Sequence, residues 1–249
     1  MMPIRDVLLA LCVAVVWGIN FVFIRWGVNE VPPLLLTSLR YVVAAVPAIF
    51  FVKRPAVALG ILVGYGIAVG VGQFGLLFAA IKFGMPAGLA SVVIQLQVFF
   101  TIGLAVLFLG ERPSGAQLLG ALVAFAGIGV IAFERMGGAA LWPFLMTIAA
   151  AGCWGVANLL TKKAGRIDML GFVVWSSLVP PIPLYLLSLA FEGPGAVPLA
   201  LSQITLVGIG SLLFIGWVST VFGYGAWSVL LGRHPASSVA HFALLVPVA

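Results

Sequence analysis

The stretch WGINFVFIRWG, which begins at Trp17, recurs in altered form as WGVANLLTKKAG, which begins at Trp154. In both copies an amide side chain follows the Trp-Gly pair, and a basic residue comes eight positions after the tryptophan. The amide is Asn20, three residues on, in the first copy and Asn158, four residues on, in the second. Because both copies lie within long apolar runs, the recurrence indicates a duplicated structural unit.

A second pair of segments repeats in the same order. PAGLASVVIQLQVF from Pro86 aligns with PASSVAHFALLVPV from Pro235, at an offset of 149 residues, against 137 residues for the Trp-Gly pairs. A predicted loop around residues 192–203 accounts for the difference in offset. The two matches together predict repeats over residues 1–135 and 136–249.

The composition is that of a membrane protein. Of the 249 residues, 63% are hydrophobic and 7% are charged, and the mean hydropathy is +1.27. Soluble domains carry about 25% charged residues, so this chain could not cover a soluble surface. The lipid bilayer is therefore a predicted partner and nucleic acid is not, because in such a protein Lys and Arg report orientation.

The apolar runs predict membrane helices, since a spanning helix needs about 20 apolar residues. The runs do not alternate apolar and polar residues as the strands of a membrane barrel would. Pro180, Pro181 and Pro183 predict a kink or break in one of the helices. The predicted spans cover residues 7–28, 32–52, 57–81, 86–109, 114–133, 139–161, 169–190, 204–230 and 235 to the end.

Basic residues predict the orientation. A cytoplasmic N-terminus would place eight basic loop residues inside and three outside, which the positive-inside rule favours. The inner set is Arg5, Lys53, Arg54, Arg112, Lys162, Lys163, Arg166 and Arg233, and the outer set is Arg25, Lys82 and Arg135.

Each repeat would contain five helices, which is an odd number, so the two copies enter the membrane from opposite sides. Such inverted repeats are typical of secondary transporters, with a binding site near the bilayer midplane between the halves. The predicted fold is an all-α polytopic membrane protein with two inverted five-helix units.

The quoted segments, with LGERPSGAQLLGALVAFAGIGVIAF from Leu109, resemble the EamA-type drug/metabolite transporter family over nearly the whole chain. The resemblance implies ten helices in the bacterial inner membrane and transport of small metabolites, such as export of cysteine and O-acetylserine. Glu111 has no counterpart near position 260, because the sequence stops at Ala249. About nine of the ten helices are therefore expected, and this polypeptide could also be a non-transporting subunit.

Arg40 is the one cation well inside a predicted span. A charge near the bilayer centre is costly and marks a functional position by default. Facing a cavity, Arg40 could bind a substrate carboxylate through two hydrogen bonds. The alternative is that its long side chain extends to the outer interface.

Polar faces also appear on two other helices. Ser91 and Gln95 share a face with Gly88, and Gln73 continues a glycine stripe, so both faces are predicted to look inward. Gln97 is predicted to point at a neighbouring helix. The alternative is helix packing through small residues and amides.

Aromatic residues of the repeat could form an amphipathic wall that holds an ammonium group over its ring faces. Trp17 is near mid-helix, which weakens the alternative of an interface anchor. His241 could equally be a hydrogen-bonded structural residue. The complete set of predicted substrate-binding residues is Trp17, Asn20, Arg40, Gln73, Ser91, Gln95, Trp154, Asn158, Tyr224 and His241.

The chemistry of the sequence favours transport over catalysis. It lacks the GxxxxGK[ST] motif of ATP sites, and its six acids lie at the ends of spans, which leaves no paired carboxylates for an enzyme. We expect no cofactor, a small neutral or zwitterionic substrate, and facilitated export by alternating access. Import is the alternative direction, and a small-residue stripe at Gly120, Ala124 and Gly127 would suit either internal packing or a homodimer.

Overall fold

We describe a computed structural model of the chain. It describes residues 2–110, 141–165 and 167–233, together with 115, 119, 122–123, 125–127, 129–130, 242 and 245–248. Within these residues the secondary structure is helical, with short connections and no strand. The first seven helices are α1 Ile4–Glu30, α2 Pro33–Ala48, α3 Leu59–Lys82, α4 Ala87–Leu109, α5 Leu141–Ala164, α6 Met169–Phe191 and α7 Ala196–Gln203. The next helix, α8, consists of three consecutive segments, Leu206–Leu213, Phe214–Phe222 and Gly223–Arg233.

The predicted spans agree closely with these helices, which confirms an all-α polytopic membrane protein. Six of the described helices are long and apolar enough to cross a bilayer, and α2 is a shorter apolar helix of 16 residues. Large apolar side chains are exposed along their outer faces, as lipid contact requires. Nine helical positions between 115 and 130 fall in the predicted span 114–133, while its other positions and most of the final span lie outside the described residues.

Two features differ from or refine the sequence prediction. The expected loop at 192–203 is largely the helix α7, in which Ala196 and Ala200, four residues apart, are buried on one face. The predicted break in α6 lies between Ser176 and Pro181, where the run of prolines prevents a continuous hydrogen-bond ladder.

The ends of the helices show their relative directions. Thr205, just before α8, donates from its backbone N–H and its Oγ1 to Glu30 at the end of α1, over 2.9 and 2.8 Å. Arg233 at the other end of α8 donates to Asp6 near the start of α1 over 3.2 Å. α1 and α8 are therefore antiparallel. We call the two ends of the bundle the Glu30 side and the Asp6 side.

The helices α3 and α8 each contain a nine-residue π-helical segment. These segments are Ile67–Gly75 and Phe214–Phe222, and their starts are 147 residues apart. Arg25 of α1 donates to the carbonyl of Ile81 in α3 over 3.1 Å, so α3 runs parallel to α1 and antiparallel to α8. The offset falls between those of the two sequence repeats, so the π segments are a third matched pair, in opposite directions.

The two Trp-Gly segments also run in opposite directions. Leu160 of α5 lies against Gly64 of α3, and Cys153 lies against Gly72. Because the residue numbers increase on one helix as they decrease on the other, α5 is antiparallel to α3 and hence to α1. This is the inverted arrangement that the sequence predicts. The boundary between residues 135 and 136 lies outside the described residues and stays a prediction.

Candidate functional site

A cavity, the main cavity, lies between helices of both predicted repeats. Six of the ten predicted site residues line it: Trp17, Asn20, Gln73, Gln95, Trp154 and Tyr224. The other described lining residues are Phe21, Phe74, Leu77, Ile94, Ser219 and Val246. The lining is thus mostly aromatic and aliphatic, with a few polar groups, as is typical of small-molecule sites.

The tryptophan of α1 is fixed by contacts with α8. Trp17 Nε1 donates to the carbonyl of Ser219 over 3.1 Å. Its ring centroid lies 5.2 Å from that of Tyr224 and 5.2 Å from that of Trp227, with tilted planes. The geometry suits aromatic packing. Trp17 is therefore a wall of the main cavity and not an anchor at the membrane surface.

Two amide side chains of the main cavity are nearly inaccessible to solvent. Asn20 is 5% exposed and Gln73 is 2% exposed. Among the residues that the structure describes, Asn20 Oδ1 and Gln73 Oε1 have no hydrogen-bond partner. A buried polar atom without a partner costs about 1–3 kcal/mol. These two oxygens are therefore suited to accept hydrogen bonds from a ligand.

Arg40 lies behind the wall of the main cavity and is not part of its described lining. Its guanidinium carbon is 3.9 Å from the ring centroid of Phe74, whose side chain does line the cavity. Nη2 donates to Thr220 Oγ1 over 2.7 Å. With 1% exposure, Arg40 does not extend to the membrane surface.

Ser91 and Asn158 also lie outside the described lining. Ser91 Oγ donates to the carbonyl of Gly88 within its own helix, over 2.7 Å. Ser91 lies in the α-helical segment Ala87–Val93, whereas Gln95 lies in the 3₁₀ turn Ile94–Leu96, which changes the angle between the two side chains. The uniform helical spacing assumed from the sequence therefore does not bring both side chains to the cavity.

Asn158 belongs to a hydrogen-bond network between α4 and α5. Its Nδ2 donates to Gln97 Oε1 over 2.8 Å and to Thr101 Oγ1 over 3.0 Å. Gln97 thus contacts a neighbouring helix, as the sequence predicts. The predicted site residue His241 lies outside the described residues, as do Gly120 and Ala124 of the small-residue stripe.

A second, smaller space, the second chamber, lies between α2, α3, α6 and α8. Hydroxyl groups dominate its polar lining, and Tyr224 belongs to the linings of both the chamber and the main cavity. Its lining residues are Tyr41, Tyr65, Gly66, Val69, Gly70, Val173, Ser176, Ser177, Thr220 and Tyr224.

Sequence reasoning missed the apolar lining and the second chamber. In a chain this hydrophobic, an apolar residue that lines a cavity has the same sequence pattern as one that faces lipid. The hydroxyl residues of α6 and α8 were the available signal, because polar side chains in a membrane helix avoid lipid. Within the described part of the chain, no group of three His, Cys, Asp or Glu side chains could hold a metal ion.

Comparison with known proteins gives the family. The profile of the EamA-like transporter family matches residues 5–133, just over half of the chain. The chain is 45% identical to a "Probable amino-acid metabolite efflux pump" of Escherichia coli (strain K12), over 98% of this chain and 84% of that protein. A protein of the same description from Salmonella typhimurium is 46% identical, with the same coverage.

More distant similarities extend this relationship. A "Probable terminal-alkyne amino-acid exporter" of Streptantibioticus cattleyicolor is 28% identical over 94% of this chain and 80% of that protein. The crystal structure of another protein aligns with 98% of this chain and with 93% of the other chain. The TM-score of 0.57, at 21% sequence identity, shows a shared fold. With the inverted helices and the cavity between them, these similarities show that the chain belongs to the EamA-like transporter family.

Proposed function

We propose that this protein exports small neutral or zwitterionic metabolites, amino-acid derivatives such as cysteine and O-acetylserine among them, across the bacterial inner membrane. The substrate class is supported by the relatives whose names describe efflux of amino-acid metabolites. The N-terminus lies in the cytoplasm, which is supported by the excess of basic residues on that side.

The observation that carries this proposal is the pair of buried amide oxygens in the main cavity. Asn20 Oδ1 and Gln73 Oε1 are acceptors without a described partner, and the ammonium group of an amino acid offers three N–H donors. The rings of Trp17 and Tyr224 line the same cavity, and aromatic ring faces also stabilise a cation. An ammonium bound in this way would relieve the cost of leaving both oxygens unpaired.

Transport follows from the inverted arrangement. The cavity is formed by α1, α3 and α4 on one side and by α5 and α8 on the other. Rocking of the two halves would expose the site to each face of the membrane in turn. The described acids are Asp6, Glu30, Asp168 and Glu192, and each lies at or near a helix end and binds a group there. The mechanism we propose therefore uses the substrate gradient.

The test measures efflux of labelled cysteine and O-acetylserine from proteoliposomes that contain the full chain. Gln73→Leu removes one of the acceptor oxygens at nearly constant volume, and we expect about tenfold slower efflux, the effect of one lost hydrogen bond to a charged group. Gln203→Leu is the matched control, because Gln203 is exposed at the end of α7.

Three results would contradict the proposal. The first is equal efflux by the two variants, which would remove Gln73 from the site. The second is the absence of transport of either compound by the wild type. The third is transport by oriented vesicles only toward the cytoplasmic side, which would make the protein an importer.

A further inference from the structure

Arg40 is a buried charge without a described counter-charge. It lies in the middle of α2, is 1% exposed, and has no carboxylate within salt-bridge distance among the described residues. Removing a guanidinium from water without an anionic partner is strongly unfavourable. The fold therefore keeps a positive charge at a costly position, and something must offset that cost.

The side chain is only partly satisfied by its neighbours. The ring of Phe74 lies 3.9 Å from the guanidinium carbon, and those of Tyr41 and Phe78 lie 5.2 and 5.5 Å away. These cation–π contacts offset part of the desolvation cost. Nη2 donates to Thr220, but Nε and Nη1 have no acceptor within the described structure.

The second chamber is lined by two residues that contact the Arg40 guanidinium. Thr220, which accepts the bond from Arg40, and Tyr41, whose ring lies beside the guanidinium, both line the chamber. The Tyr41 hydroxyl is itself buried and has no hydrogen-bond partner among the described residues. Three buried donor atoms without described acceptors thus belong to Tyr41, which lines the chamber, and to Arg40, which contacts two residues of its lining.

The groups of the two spaces are complementary in hydrogen bonding. In the main cavity, Asn20 and Gln73 carry acceptor oxygens without a described partner, whereas Tyr41 of the second chamber and the adjacent Arg40 carry donors without a described acceptor. Tyr224 lines both spaces, so they are adjacent. A zwitterion has one end suited to each set.

We propose that the second chamber is an anion subsite that receives the carboxylate of the transported zwitterion. The carboxylate accepts hydrogen bonds from the Tyr41 hydroxyl and from the free N–H groups of Arg40, and it supplies the missing counter-charge. This subsite rests on the proposed function, because the transported substrate supplies the carboxylate. Chloride is also a small monovalent anion, so the same donors would suit it.

The test uses Tyr41→Phe in the purified full chain in lipid nanodiscs. Because the Tyr41 hydroxyl has no described partner, its removal should leave the apo-protein melting temperature unchanged or raised. We expect the Kd for cysteine to rise about tenfold and the Kd for cysteamine, which lacks the carboxylate, to stay constant. Tyr185→Phe is the matched control, since Tyr185 is 42% exposed on α6.

The remaining arms identify the anion. We expect 3-mercaptopropionate, which keeps the carboxylate and lacks the ammonium, to bind the wild type more weakly than cysteine and to lose further affinity in Tyr41→Phe. An unchanged Kd for cysteine in Tyr41→Phe would overturn the proposal. The proposal would also be overturned if chloride stabilised the wild type through Tyr41 but did not compete with 3-mercaptopropionate. The chamber would then hold an inorganic ion.

Failure of the proposed function gives a different result. If the wild type neither binds nor exports any compound of the series, the exporter proposal fails. A chloride-dependent rise in melting temperature that Tyr41→Phe abolishes would then still show an anion site in the chamber, while removing the substrate carboxylate as its occupant.

Discussion

The two Trp-Gly segments share a pattern in sequence but differ in what their amides do. Trp17 and Trp154 both line the main cavity. Asn20 lines it as well, with an oxygen that has no described partner, whereas Asn158 is bound to Gln97 and Thr101 between α4 and α5. The duplication kept the position of the ring and changed the role of the amide.

The difference follows from one residue of spacing. An α-helix turns by about 100° per residue. Asn20, three residues after Trp17, is therefore displaced by about 60° in one direction around the helix. Asn158, four residues after Trp154, is displaced by about 40° in the other. The two amides thus differ by about 100° in direction, and only the first faces the cavity beside its tryptophan.

This comparison separates symmetry of fold from symmetry of chemistry. The inverted helices and paired π segments are shared by both halves. Asn20 and Gln73, whose oxygens have no described partner in the main cavity, both belong to the first half. We therefore expect substitutions in the first segment to affect mainly transport and those in the second to affect mainly stability.

The largest effect should come from Gly155→Val in the second segment. A Cβ on Gly155 would lie 2.6 Å from Phe100 Cβ and 3.1 Å from the backbone of α4 at Thr101. Because backbone atoms cannot move aside, the two helices must separate. We expect a loss of stability of roughly 3 kcal/mol, the upper end of the usual range for overpacking. The yield of monodisperse protein on size-exclusion chromatography measures the loss.

Gly152→Ala on the same helix is the control for Gly155→Val. A Cβ there would lie 3.8 Å from the ring of Phe100, which is an ordinary contact. We expect a normal yield for this variant. If Gly155→Val gave the same yield as Gly152→Ala, close packing of the second segment against α4 would be refuted.

The next effect should be the loss of stability in Asn158→Leu. The substitution leaves Gln97 Oε1 with only a long contact of 3.3 Å to Thr101, and it buries an acceptor that has lost its best donor. We expect a destabilisation of about 1–3 kcal/mol, seen as a lower melting temperature, with efflux per folded molecule retained. Efflux that fell while the melting temperature stayed constant would place Asn158 in the transport site.

The sequence predicts the helices and their inversion well because spanning segments must be apolar, and a duplication leaves visible landmarks. It does not predict local changes of helical geometry. The 3₁₀ turn at Ile94–Leu96 and the π segments alter the direction of side chains such as those of Gln95 and Gln73, and uniform spacing cannot show this. Likewise, Phe74 and Leu77 line the cavity with residue types that also face lipid.

Asn20→Leu tests the functional side of the comparison. The variant removes a buried oxygen that has no described partner, so the melting temperature should stay constant or rise. Loss of its bond to the substrate should slow efflux about tenfold, which corresponds to about 1.4 kcal/mol. Thermal unfolding and proteoliposome efflux on the same preparation measure both.

Asn29→Leu is the matched control for Asn20→Leu, because Asn29 is exposed near the end of α1. We expect efflux equal to that of the wild type. A fall in melting temperature for Asn20→Leu, with normal efflux, would show that Asn20 has the structural role we assign to Asn158, and the distinction between the two segments would be lost.

The smallest effect should come from Trp17→Phe, which keeps an aromatic ring in the cavity wall and removes the bond from Nε1 to the carbonyl of Ser219. One neutral hydrogen bond contributes about 0.5–1.5 kcal/mol, so we expect a small fall in melting temperature and about threefold slower efflux. Trp142→Phe, at a position that is 67% exposed, should change neither. If Trp17→Phe and Trp142→Phe behaved alike, the hydrogen bond between α1 and α8 would have no role in holding the cavity wall. Asn20 would then be the one residue of the first segment with an effect on transport.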